Sequence, residues 1–184
     1  MRGGGGVTQE RCDALLVATG RTPNVEGLGL EAAGVDFCSE GVCVNDLLQT
    51  SNKDVYAVGD CVAGVPKFTH MSGEMAKVVV QNAIFGDTWR LDTLVVPSCI
   101  YTEPEVARVG ECEGDEYSSM LQHNDRAILE GEAADGGFVK VWCAAGTDTV
   151  VGGSVVAARA GEIINEIAIA VKAKLSIVTL ARTI

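Results

Sequence analysis

Positive charge is what this sequence has least of: 14 Lys and Arg stand against 25 Asp and Glu, for a net charge of -11 over 184 residues. No basic cluster interrupts the acidity, so a phosphate backbone or an anionic membrane surface would be repelled. Long hydrophobic runs are missing too, and none approaches the roughly 20 residues a spanning helix needs. Histidine occurs twice. His123, in "LQHNDRA", reads as a solvated loop residue, and neither it nor Glu111-Cys112-Glu113 offers metal-ligand spacing. No nucleophile–His–carboxylate set is visible. The N-terminus, "MRGGGGVTQE", has neither the apolar core of a signal peptide nor the Arg-rich amphipathic character of a transit peptide. Its four glycines read as a linker, or as an edge where a longer chain was cut. Seven cysteines, an odd and scattered set, point to a reducing compartment rather than a disulfide framework. These absences lead to the expectation of a cytoplasmic protein (organellar if a targeting segment lies upstream) that binds neither nucleic acid nor membrane.

What is present begins with "DVYAVGDC" (54–61), where Val55 to Val58 run apolar without alternation and then meet Gly59-Asp60. An unpaired carboxylate is costly to bury. "CDALLVATGRTPN" (12–24) carries a second such run, Ala14 to Ala18, closed by Thr19-Gly20. Runs of this kind suit parallel strands covered on both faces. Between them, "VEGLGLEAAGV" (25–35) reads as a loop and a short helix, "DFCSEGVCVND" (36–46) as a hairpin around Gly41, and Thr50-Ser51-Asn52 as a turn. A helix is expected from about Met71 to a stop at Gly86, with small residues Ser72, Gly73 and Ala76 thinning one side of its first turns.

The style changes after "GDTWRLD" (86–92). "TLVVPSCIYTEPEVARVG" (93–110) reads as a strand and then a short Pro-started helix. "GGFVKVWC" (136–143) and "TVVGGSVVAA" (149–158) flank a polar turn as antiparallel neighbours. A helix from about Gly161 to Lys172 sets Ile163, Ile164, Ile167 and Val171 on one stripe, and Ser176 is placed to cap another. The expected fold class is therefore an α/β part with a parallel sheet, followed by an α+β domain on an antiparallel sheet. No internal repeat is seen.

Two motifs do not carry the chemistry they suggest. Gly27-Leu28-Gly29-Leu30-Glu31-Ala32 fits the loose G-x-G-x-x-A fingerprint, but a Pro-Asn loop separates it from any strand and no carboxylate follows at the required distance. Cys38 and Cys43 have the four-residue gap of some redox disulfides. They flank a glycine turn beside Asp36, Glu40 and Asp46, whose negative charge favours thiol over thiolate.

A buried strand ending in Gly59-Asp60, followed by a loop and a thin-fronted helix, is a ligand geometry of open α/β sheets. Asp60 would accept from a sugar-like hydroxyl; the lesser alternative is that it merely caps the segment that follows. "CDALLVATGRTPNVEGLGLEAAGV", "TSNKDVYAVGDC", "PKFTHMSGEMAKVVVQNAIFG", "YTEPEVARVG", "DRAILEGE", "GFVKV" and "AGEIINEIAIA" together resemble the flavoprotein pyridine nucleotide–disulfide oxidoreductase family, which includes glutathione reductase, dihydrolipoamide dehydrogenase and mercuric reductase. The resemblance implies an oxidoreductase using FAD and NAD(P)H and acting as a homodimer. It implies that Gly59 and Asp60 bind the ribityl chain of FAD. It also implies that Thr69 and His70 open the helix that points at the flavin ring, through the backbone rather than the imidazole. Residues 1–24 would end the NAD(P)-binding domain, with Thr19-Gly20-Arg21 at the return to the FAD domain. Residues 25–92 would belong to the FAD domain and 93–184 to the dimerisation domain.

The family's two Gly-rich loops, its redox disulfide and its His-Pro tail have no match here. The resemblance thus implies a C-terminal part that does not catalyse the family reaction alone and holds no catalytic or metal-binding residue. The alternative expectation is a short assembly module that keeps only the dimerisation domain. The electron acceptor is left open.

Overall fold

The computed structural model describes residues 9, 11–132 and 136–183, so the glycine run at the N-terminus lies outside the described residues. Contacts divide the chain into two units, 1–89 and 90–184.

In the N-terminal unit, β1 (Phe37–Cys38) and β2 (Gly41–Val42) form the hairpin expected around Gly41, with Phe37 opposite Val42 and Cys38 opposite Gly41. The turn at 50–52 ties the preceding loop together. Ser51 Oγ donates to Gly34 O at 2.9 Å and accepts from Asp36 N at 2.8 Å, while Asn52 Nδ2 donates to Ala33 O at 2.7 Å. Residues 25–35 make turns instead of the expected short helix, closed by Val35 N donating to Leu30 O at 2.9 Å. α1 (Thr69–Phe85) buries Met71, Met75 and Val78 and ends at Gly86 in a left-handed conformation, φ 72°. That is the glycine stop read from the sequence.

The expected parallel sheet is corrected here. Among the described residues no parallel ladder forms; the parallel pairing is a single bridge, Val42 to Val62. Residues 14–18 are assigned to no strand, and Leu15, Leu16 and Val17 are 80%, 88% and 72% exposed. Val55–Val58 contributes only an antiparallel bridge, Tyr56 to Gln49. A strand covered on both faces draws its burial from neighbouring strands and crossover helices, and no described residue supplies them around 14–18.

The C-terminal unit is a five-stranded antiparallel sheet in the order β3-β4-β7-β6-β5. Its strands are β3 (Ser98–Ile100), β4 (Glu105–Gly110), β5 (Asp115–Met120), β6 (Phe138–Cys143) and β7 (Val150–Ala157). β6 and β7 pair across the polar turn as expected, with an irregularity at Trp142/Cys143. α2 (Asp125–Glu130) is capped by Asn124, whose side chain accepts from Ala127 N at 3.0 Å. α3 (Ala160–Lys172) packs on β4 and β7, and α4 (Ile177–Ala181) follows. Ser176 is the expected cap of α4, accepting from Val178 N at 3.0 Å and Thr179 N at 3.4 Å.

The core of this unit joins Ala107, Val109, Val141, Val155, Ile164 and Ile167, with Ile163 and Val171 packed at its edge. The isoleucine stripe of α3 thus faces its own sheet. Gly153 lets it close: a Cβ there would stand 2.7 Å from Ile167 Cγ2. The Pro-started helix is a second correction. Residues 105–110 form β4, in which Ala107 and Val109 are buried while Arg108 and Gly110 are exposed. A period of two between paired neighbours outweighs the helix-start signal of the proline. His123 ends a short 3-10 turn, Leu121–His123, and is exposed.

Candidate functional site

The four residues singled out in the N-terminal unit lie on two adjoining pieces of backbone. The first is a 3-10 turn, Gly59–Cys61. Gly59 has φ +81°, a left-handed conformation that costs a residue with a Cβ about 1–2 kcal/mol. It also has little room. A Cβ built there would lie 3.0 Å from Ser72 Oγ and 3.4 Å from Ser72 Cβ. Gly59 is therefore where the turn closes onto the first turn of α1.

The second piece is the start of α1. Phe68 is its N-cap with extended backbone, φ -124°, and provides no side-chain cap. The ring of His70 stacks on that of Phe68, centroids 5.2 Å apart and planes 9° from parallel. The imidazole is thus engaged with its neighbour, and the structure gives Thr69 and His70 in common an exposed place in the first helical turn. The positive end of the helix dipole favours a negative or acceptor group there. Gly73 has nothing within 4 Å of where its Cβ would be, so this side of α1 is open as well as thin.

Asp60 does not cap the segment after it. Its carboxylate Oδ2 lies 3.6 Å from Arg21 Nη1, and its side chain stays 51% exposed. Arg21 Nη1 also donates to Lys67 O at 3.0 Å. One guanidinium thereby links the 3-10 turn to the loop that leads into α1. The exposed pair adds little stability, on the order of 0–1 kcal/mol. Reasoning from sequence placed Arg21 at a chain crossover and missed this contact; the Thr19-Gly20-Arg21 motif was the available signal. The arrangement presents a hydrogen-bond acceptor, Asp60, beside a donor-rich helix terminus. That pair suits a ligand carrying hydroxyls next to an electron-rich oxygen.

Cys38 and Cys43 are both exposed free thiols. Partial desolvation, the Cys38 thiol and the Asp36 carboxylate push the Cys43 thiol up from its ordinary value. At Cys43 this is the direction expected from the neighbouring carboxylate. Among the described residues no cluster of three or more His, Cys, Asp or Glu is arranged to hold a metal ion, and no helix is long and apolar enough to cross a membrane.

Two family models match this chain. Residues 3–76 match the pyridine nucleotide-disulphide oxidoreductase domain, and residues 96–184 match the dimerisation domain of the same family. The chain belongs to the pyridine nucleotide-disulphide oxidoreductase family. Among its relatives, mercuric reductase of Lysinibacillus sphaericus is 37% identical over 182 residues, covering 94% of this chain and 33% of that protein. Mitochondrial dihydrolipoyl dehydrogenase of Sus scrofa is 37% identical over 181 residues, covering 93% and 35%. The crystal structure of LpdA from Mycobacterium tuberculosis superposes with a TM-score of 0.74 at 31% identity, over 88% of this chain and 37% of LpdA. The copper(II) complex of the flavoprotein disulfide reductase RclA from Escherichia coli gives a TM-score of 0.81 at 25% identity, over 94% and 42%. The chain spans about a third of the length of the curated relatives it matches.

Proposed function

We propose that this chain supplies the flavin-contacting edge and the dimerisation domain of an NAD(P)H-dependent flavin disulfide oxidoreductase. The observation that carries the reading is the seating of Gly59 against Ser72, which puts the Asp60 carboxylate beside the uncapped start of α1. FAD fits these residues. Asp60 is exposed enough to accept from a ribityl hydroxyl, the first amides of α1 at Thr69 and His70 would meet an acceptor atom of the isoalloxazine, and the open side at Gly73 leaves room. When bound, FAD supplies the carrier of electrons between the nicotinamide and a sulfur group or metal ion. The protein's own part is to hold and orient. Asp60 fixes the polyol, Arg21 lies beside Asp60, and the positive end of α1 favours negative charge on the ring.

The test uses a complete relative, the Lysinibacillus sphaericus mercuric reductase, with this chain substituted for its matching segment. The hybrid is expected to purify with bound flavin. Asp60→Ala should weaken FAD binding by about 10- to 150-fold, the equivalent of a charged-acceptor hydrogen bond of about 1.5–3 kcal/mol. FAD fluorescence quenching measures it. A folded hybrid without flavin would overturn the flavin reading and leave only the assembly role, and equal affinity in both proteins would remove Asp60 from the flavin site.

Homodimerisation is the second half of the reading, supported by the match to the dimerisation domain over 96–184. Sedimentation equilibrium of the chain should give twice its monomer mass. A single monomeric species across the concentration range would remove this half alone.

A further inference from the structure

We propose that Cys38 and Cys43 form a dithiol site for trivalent arsenicals on the β1–β2 hairpin. The ladder pairs Cys38 with Gly41, and Cys43 N donates to Asp36 O at 2.9 Å, which extends the same register by one more pair. Side chains alternate across a strand, so Cys38 and Cys43 lie diagonally on one face while Phe37 and Val42 take the other. Gly41, directly opposite Cys38, carries no side chain, and the place its Cβ would take is filled by the backbone of Cys61 and Ala63. Both cysteines are exposed, and the Cys38 thiol lies near enough to help push the Cys43 thiol up from its ordinary value. Three less exposed thiols are directed elsewhere: Cys61 to Val58 O, Cys99 to the Glu105 carboxylate and Cys143 to Asp148 O.

The chemistry of the pair selects the ligand. Asp36 beside Cys43 disfavours thiolate, which slows disulfide exchange. No third protein ligand is clustered there for a tetrahedral cation. An organoarsenic(III) oxide needs neither. Two neutral S–H groups condense with R–As=O; two As–S bonds form, both protons leave with the oxygen as one water, and arsenic stays trivalent. The arsenic keeps its own organic substituent as third ligand, and soft sulfur is its preferred donor.

Phenylarsine oxide added to the full chain is the probe, followed by alkylation of unprotected thiols and peptide mass mapping. One adduct per chain is expected, shielding Cys38 and Cys43 together, surviving excess monothiol and released by a dithiol. Cys38→Ser and Cys43→Ser should each weaken retention by about 100-fold, because capture by two linked thiols becomes capture by one. Retention at the unsubstituted level in both variants, or shielding of any other set of cysteines, overturns the assignment. If a serine variant fails to fold, the shielding map of the unsubstituted chain decides by itself.

Discussion

Replacing Ile164 with alanine is expected to lower the stability of the C-terminal unit by about 2–5 kcal/mol. Ile164 is 2% exposed on α3 and lies in the core with Ala107, Val109 and Val155. Truncation loses the transfer free energy of its methylene and methyl groups. It also leaves a cavity between a helix and a sheet that are both held by their own hydrogen bonds, which limits collapse. The measurement is urea unfolding followed at Trp142 in β6, which is buried, with Trp89 replaced by phenylalanine to isolate the signal. The midpoint should fall with the slope unchanged. Ile169 lies on the same helix but is 66% exposed, so Ile169→Ala should stay within about 0.5 kcal/mol. Similar losses for both substitutions would mean that α3 is not seated on β4 and β7 as described.

Gly59→Val should be the most damaging single change at the candidate site. A β-branched residue at φ +81° meets left-handed strain of about 1–2 kcal/mol. Contact with Ser72 at 3.0–3.4 Å adds overpacking of about 1–3 kcal/mol. The chain can relieve both only by backing the 59–61 turn away from α1, and Asp60 moves with it. The expected outcome in the mercuric reductase hybrid is a flavin affinity at least as low as that of Asp60→Ala, together with a lowered unfolding midpoint of the N-terminal unit. Gly73→Ala is the control for stability alone, since a Cβ there meets no protein atom and alanine favours the helix by about 1 kcal/mol, so its unfolding midpoint should not fall. If Gly59→Val retains flavin and stability, the close approach to Ser72 does not set the position of Asp60.

Local rules account for much of what was legible in advance. The pairing of β7 with β6 across a polar turn, the stripe of α3, the glycine stop of α1 at Gly86 and the cap at Ser176 each depend on residues a few positions apart, and each is found. The antiparallel sheet of the C-terminal unit followed from such signals. β5 did not. Asp115–Met120 is exposed along its length, so it shows no alternation between buried and exposed positions. It is held by its ladder to β6 and by the Lys140–Glu116 ion pair at 2.7 Å. β4 carried a readable period of two at Ala107 and Val109, masked by the proline before it. At the candidate site, the residue types Gly59-Asp60 and the thin front of α1 were visible, whereas the reach of Arg21 to Asp60 and Lys67 was not.

The order of amino acids by itself determined which segments turn, which coil into helices and which residues could accept or donate at a ligand, because backbone preference and side-chain period act over one or two turns. Tertiary structure alone decided that Leu15–Val17 stand in solvent, that residues after Pro104 extend instead of coiling, and that Asp60 faces outward beside Arg21. Burial and pairing depend on neighbours that arrive from far along the chain, and no short window of sequence contains them.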